Sequence, residues 1–324
     1  MSNMQNYHDM IRATLNSPIE QFNERTGKLC RVLLGYQLQY DVSEFFPLLT
    51  TRKLFFNGIK GELLSFFRGY DNAVDFRNMG CNLWNQNANE TKAWLDNPHR
   101  KGEDDIGRCY GVQWTAWKDR RVINSSDGKE FDRLSELGYS VAMYDSSRGL
   151  FLFEREINQL ENVLRTLLTN PSDRRMIITA WNPAEIDLQA LPACHMDYRY
   201  IALENPKVLH LVMTIRSMDG FLGAPTNIAT TALQLLIMAR LSGFAPGTIT
   251  MQAANCHLYE DHFEQAEELL KREHLSLPKV LLSDNVKPII NLDDIKGAFT
   301  RIKPDDIVLQ DYQHLARIDA PMSA

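Results

Sequence analysis

The stretch from residue 175 to 243 leaves the fewest options open. Three β-like segments, 175–181 (RMIITAW), 197–203 (DYRYIAL) and 207–215 (KVLHLVMTI), lead into an apolar helical segment at 227–242 (NIATTALQLLIMARLS), which opens with Asn227 and closes at Gly243. Strand runs mixed with long helices point to an α+β organisation rather than a regular βαβ alternation. Upstream, 30–41 (CRVLLGYQLQYD) shows the partial alternation of a strand buried on one face, and 58–69 (GIKGELLSFFRG) reads as a buried helix closed by Gly69. A further helix is expected over 154–169, where Ile157, Leu160, Val163, Leu164, Leu167 and Leu168 share a face ahead of Asn170-Pro171. The polar stretch 118–150 reads as an insertion between elements. No repeat and no Pro/Gly/Ser linker divides the chain, so residues 1–324 are expected to form a single domain.

Composition narrows the function. With 44% hydrophobic and 23% charged residues, the chain is neither disordered nor collagen-like. A net charge of −6 and the lack of a long basic run argue against nucleic acid as a main partner. No stretch approaches the ~18 apolar residues of a membrane span, and the first residues lack the basic-then-apolar layout of a secretion signal. The five cysteines (30, 81, 109, 194, 256) are scattered without a CxxC pair, which disfavours a disulfide scaffold or structural zinc and suggests a reducing cytoplasm. No metal is expected.

Two positions stand out chemically. Cys194, in Leu191-Pro192-Ala193-Cys194-His195, follows a strand and loop. A nucleophilic thiol needs positive charge nearby to fall from its usual pKa of about 8.5, and Arg25, Arg174-Arg175 and Arg216 are candidates. The plainer reading is a packed cysteine and solvated arginines. Glu62, inside GELLSFF, is flanked by large apolar residues; burial would raise its pKa and make it a proton carrier. Otherwise it sits on the polar side of an amphipathic helix. Asn227 suits either a pyrimidine edge or a helix cap. His257 and Tyr259, in CHLY, suit either a sugar hydroxyl or a buried, satisfied pair. A cysteine hydrolase built on Cys194 and His195 is disfavoured, because adjacent strand residues point to opposite faces.

Taken in order, Arg25-Thr26-Gly27, Phe46-Pro47, Thr50-Thr51, Glu62-Leu63-Leu64, Trp84, Tyr110-Gly111, Gln113-Trp114, Arg174-Arg175, Ala180-Trp181-Asn182, Cys194-His195, Arg216-Ser217, Asp219, Leu222-Gly223, Pro225, Asn227-Ile228 and His257-Leu258-Tyr259 resemble thymidylate synthase over nearly the whole chain, the insertion aside. The resemblance implies a thymidylate synthase-like α+β fold whose large mixed sheet pairs two copies face to face. It also implies one-carbon transfer from 5,10-methylenetetrahydrofolate to C5 of a pyrimidine nucleoside 5′-monophosphate. In that scheme Cys194 attacks C6 of the ring, making C5 nucleophilic. Glu62 handles protons through water, and Tyr110 and His195 assist around the ring. Arg25 and Arg216 hold the phosphate, with Arg174 and Arg175 reaching across a homodimer, and Ser217 is a further substrate-binding residue. Asn227 reads the base, His257 and Tyr259 bond the sugar, and Trp84, Asp219, Leu222 and Gly223 line the folate pocket.

Several positions depart from the family pattern. Asn85 stands where the family has Asp, Arg108-Cys109 replace Pro-Val before Tyr110, and Ala193 replaces Pro before the cysteine. Ile215 replaces Gln, Thr226 replaces Phe, and Ala324 replaces a terminal branched aliphatic residue. The phage deoxycytidylate hydroxymethylases similarly lose the Asp and the Gln. The departures therefore lean toward hydroxymethylation, in which water rather than hydride completes the exocyclic methylene. Asn227 favours dUMP, while dCMP and CMP stay open. The alternative is reductive methylation of dUMP to dTMP with release of dihydrofolate. A nucleotide-binding protein without activity is a weaker third reading.

Overall fold

A computed structural model describes residues 4–322. In chain order its main strands are β1 (Glu20–Asn23), β2 (Lys28–Asp41), β3 (Trp117–Asn124), β4 (Ser140–Asp145), β5 (Leu150–Ile157), β6 (Ile177–Thr179), β7 (His195–Glu204), β8 (Lys207–Ile215), β9 (Met218–Asp219) and β10 (Ala245–Tyr259). The large sheet runs β1-β2-β10-β8-β7-β6, with β9 beside β10. β10 is parallel to β8 and β9; the other neighbours are antiparallel, so the sheet is mixed as expected.

The parallel β8–β10 pair needs a crossover, and helix Gly223–Ser242 supplies it. Its sequence is apolar all round, and 15 of its 20 residues are buried, as such a helix requires. Gly243 ends it at φ 70°, the left-handed conformation glycine adopts without strain. In β8, Leu209, Leu211, Met213 and Ile215 are buried while the residues between them are partly exposed. This alternation turns one sheet face to the core and leaves the other open.

Three sequence expectations need correction. The long helix starts at Gly223, four residues early, because Asp219 Oδ1 accepts the backbone N–H groups of Phe221 and Leu222 and turns the chain there. Asn227 is therefore not a cap but lies one turn inside. The helix expected over 154–169 is Gln159–Thr169; Asn158 caps it by accepting the Glu161 N–H, and 154–157 belong to β5. Of 175–181 only Ile177–Thr179 form a strand. The polar insertion carries structure of its own. β3, β5 and β4 form an antiparallel sheet under helix Gly128–Glu136, with a small core of Ile123, Leu134, Tyr139 and Phe153 separate from the main one. No helix among the described residues is long and apolar enough to cross a membrane.

Candidate active site

Cys194 sits in a bend immediately before β7, at the end of the large sheet where β8 finishes. Its carbonyl accepts the Arg216 N–H at 3.0 Å, and its own N–H donates to Tyr110 Oη at 2.7 Å. Tyr110 begins a short helix, Tyr110–Thr115, with φ at 20°, a conformation that needs its surroundings to hold it. Glu62 comes from helix Phe56–Phe67. These elements enclose a cavity of about 240 Å³ that brings together nine of the expected residues: Glu62, Trp84, Tyr110, Cys194, His195, Ser217, Asp219, Gly223 and Asn227.

The electrostatics follow from burial. Desolvation pushes the Glu62 carboxyl up to about 7, against the hydrogen bond that Trp84 Nε1 donates at 3.0 Å. That places it near neutrality, where a proton carrier works best. Burial presses His195 down to about 4 despite its hydrogen bond with Asn227, so its ring is neutral at pH 7; its Nδ1 pairs with Tyr198 Oη at 2.8 Å. The Tyr110 phenol is raised well above its usual value by burial first and by the neighbouring Cys194 second. Burial likewise lifts the thiols of Cys81, Cys109 and Cys256 to about 12 and that of Cys30 to about 11. Cys194, by contrast, is only partly buried and reaches the cavity.

The expectation that His195 must face away from Cys194 is also corrected. Because Cys194 precedes the strand, strand alternation does not apply to it, and both residues line the cavity. The histidine is nonetheless engaged with Tyr198 and Asn227 rather than with the thiol.

Other expected residues lie around or away from this centre. Arg216 donates to the carbonyls of Ala193 and Pro192 at 3.0 and 2.8 Å and so braces the cysteine loop. Leu222 packs beside the core, its N–H on Asp219. His257 and Tyr259 meet edge to face on β10, 5.0 Å between ring centres. Arg25 is exposed in the turn joining β1 and β2. Arg174 and Arg175 are exposed just ahead of β6, and Arg175 pairs with Asp173 at 2.7 Å. Neither lines its own chain's cavity.

Sequence reasoning missed Phe66, Leu83, Asn87 and Leu191, which complete the wall. Phe66 stacks on Tyr110 with 5.0 Å between ring centres. Its position one helical turn after Glu62 was a usable signal, as was Asn87 three residues after Trp84. Leu83 and Leu191 carried none.

Among the described residues, none of the departures lines the cavity. Ala193, Ile215 and Cys109 are buried, and Asn85 accepts from Arg77 at 2.8 Å. Thr226 bonds back to the Leu222 carbonyl, and Arg108 pairs with Glu185. Ala324 lies outside the described residues. Three larger cavities, of about 510, 470 and 300 Å³, have no thiol in their walls. Among the described residues no cluster of three or more His, Cys, Asp or Glu side chains is placed to hold a metal ion.

Fold and cavity together describe an α+β protein in which a partly buried thiol, a carboxyl and a phenol line one cavity. The family profile described as thymidylate synthase matches residues 5–324. The chain is 36% identical over 323 residues to a thymidylate synthase of Pseudomonas putida, covering 99% of this chain and 100% of that protein. Thymidylate synthases of Shewanella pealeana (36%) and Bordetella parapertussis (34%) match over the same shares of each chain. The chain belongs to the thymidylate synthase family, and with it to the folate-dependent transferases.

Proposed function

We propose that this enzyme methylates dUMP reductively to dTMP, taking one carbon from 5,10-methylenetetrahydrofolate and releasing dihydrofolate. The observation that supports this reading is the cavity wall: nine residues that match the family line it, and none of the described departures does. Hydroxymethylation, toward which the sequence leans, draws no support from that wall. The relatives named thymidylate synthase point the same way.

In the proposed sequence, the Cys194 thiolate adds to C6 of the uracil ring, forming a C–S bond and moving electron density to C5. C5 then takes up the one-carbon unit. The C5 proton leaves through water held by Glu62, whose near-neutral carboxyl suits both acceptance and return of a proton. Tyr110 Oη, already anchored on the Cys194 N–H, fixes the nucleophile's position. Departure of tetrahydrofolate, as its bond to the transferred carbon breaks, leaves an exocyclic methylene on C5; hydride from that tetrahydrofolate completes the methyl group while the C6–S bond breaks and returns the Cys194 thiolate. Asn227, hydrogen-bonded to His195, presents its amide to the base. His257 and Tyr259 bond the sugar. Trp84 and Asp219 suit a folate, one as an aromatic wall and the other as a carboxylate oriented by two backbone N–H groups; Leu222 and Gly223 flank them. The folate supplies both the carbon and the hydride.

Arg25, Arg216 and Ser217 are proposed to bind the phosphate, together with Arg174 and Arg175 of the other copy in a homodimer. The exposure of Arg174 and Arg175 on their own chain supports this reading, as do Leu34, Ile201, Leu203 and Ile177, which stand 68%, 48%, 47% and 42% exposed on the large sheet. Incubation with dUMP and methylenetetrahydrofolate tests the reaction. The expected result is dTMP by mass spectrometry with an equal amount of dihydrofolate by absorbance. A product heavier by one oxygen with no dihydrofolate would overturn it.

A further inference from the structure

Arg108, a departure from the family pattern, occupies a specific place in the fold. Its Nε donates to Glu185 Oε2 at 2.6 Å and its Nη2 to the Ala116 carbonyl at 2.8 Å. The two side chains are only 17% and 11% exposed. Glu185 lies in a kinked turn, Pro183–Leu188, that leads directly into the cysteine loop. Gln113 ties the pair together, donating from one amide nitrogen to Glu185 Oε2 at 2.8 Å and to the Arg108 carbonyl at 2.9 Å. The backbone repeats the link: the Arg108 N–H donates to the Leu188 carbonyl at 2.8 Å, and the Ala190 N–H to the Ile106 carbonyl at 3.0 Å. Gly107 lets the segments approach, since a Cβ there would fall 2.1 Å from the Leu188 oxygen.

We infer that Arg108 and Glu185 form a positioning clamp that holds the Tyr110 segment against the Cys194 loop. Two residues beyond Arg108 stands Tyr110, in its strained conformation, and the loop after Leu188 ends at Cys194, whose N–H rests on the Tyr110 hydroxyl. Charge-assisted hydrogen bonds are the strong ones, and a two-point hold by guanidinium fixes orientation as well as distance. A buried ion pair adds little net stability but is strongly disruptive when one partner is removed. The clamp touches neither the ring nor the phosphate; it acts through Tyr110 and the loop. It rests on the proposed reaction only in taking Cys194 as the nucleophile.

The test combines Arg108→Ala, Glu185→Ala and the double variant, with two readouts per folded site. One is release of tritium from C5-labelled dUMP, and the other is alkylation of Cys194 by iodoacetamide, which does not depend on the reaction product. Each single variant is expected to lower kcat about 10- to 100-fold, the scale of a misplaced reacting group, with KM for dUMP within about threefold. Alkylation is expected to quicken as the loop opens. The double variant should lose no more than either single one, because coupled residues are not additive. Unchanged kcat and alkylation per folded site in both single variants would overturn the clamp, as would losses that multiply in the double variant. Should the alanine variants not fold, Arg108→Lys and Glu185→Gln carry the test, each expected to lose several-fold in kcat; parental values in both would overturn it. A hydroxymethyl product from the parent would sink the proposed reaction and leave this test standing.

Discussion

The thiol end of the site and its arginine end are built in opposite ways. Around Cys194, one chain gathers the Tyr110 phenol on the Cys194 N–H, the Glu62 carboxyl under Trp84, and the His195 ring held by Tyr198. At the other end, Arg25, Arg174 and Arg175 are exposed, and Arg175 is occupied by its neighbour Asp173. Ring chemistry needs a dry, preorganised setting, in which pKa values move and hydrogen bonds keep their strength. Guanidinium groups that bind a dianion stay charged in water and need no burial of their own. On the proposed reading, the difference means that a single chain completes the chemical centre, while part of the anion-binding set, Arg174 and Arg175, comes from the other copy.

The largest effect should come from the buried end. Cys194→Ser is expected to remove turnover by about 10³-fold or more, read as tritium release from C5 of dUMP. Release at the parental rate would break the comparison outright.

Glu62→Gln comes next, with kcat falling about 10²- to 10³-fold. The parent's pH profile should carry a limb near 7 that the variant lacks. Stability moves the other way. The folded carboxyl titrates near 7 and the unfolded one near 4.3, so the destabilising charge develops as pH rises from about 4 to 7 and persists above. The variant should therefore match the parent at pH 4 and exceed it at pH 8, by up to about 3 kcal/mol in denaturant melts. A variant less stable than the parent at pH 8 would show that the acid is not buried.

The exposed end should respond in binding. Arg175→Ala is expected to raise KM for dUMP about 10- to 100-fold, the scale of a lost hydrogen bond to a charged group. Mixing this variant with Cys194→Ser sharpens the point: heterodimers regain one complete site, and activity returns, if the arginine serves the other copy. No recovery on mixing would place the arginine in its own chain's site.

The smallest catalytic effect belongs to the inserted sheet. Phe153 is buried in its separate small core. Phe153→Ala should loosen residues 117–157 by about 3 kcal/mol in hydrogen exchange and leave kcat within about twofold.

How much could be read beforehand varies by element. β8 was legible to the residue, because its alternation is complete and turns bound both ends. The start of the long helix was not, because Asp219, outside the apolar run, fixes it. Glu62 was legible as a buried acid from its flanking leucines and phenylalanines. The neutral state of His195 was not, since it depends on burial beneath distant segments and on Tyr198 and Asn227. The sequence departures illustrate the gap best. Each was visible, but which of them faces the cavity was not.

By itself, the order of residues determined the family and most strand and helix cores, because side-chain chemistry and periodicity are local properties. Tertiary structure decided the rest. It kept the described departures out of the cavity wall, paired Arg108 with Glu185 across 77 positions, and turned Arg174 and Arg175 outward. Desolvation and long-range pairing exist only once distant segments have met, and no window along the chain encodes that meeting.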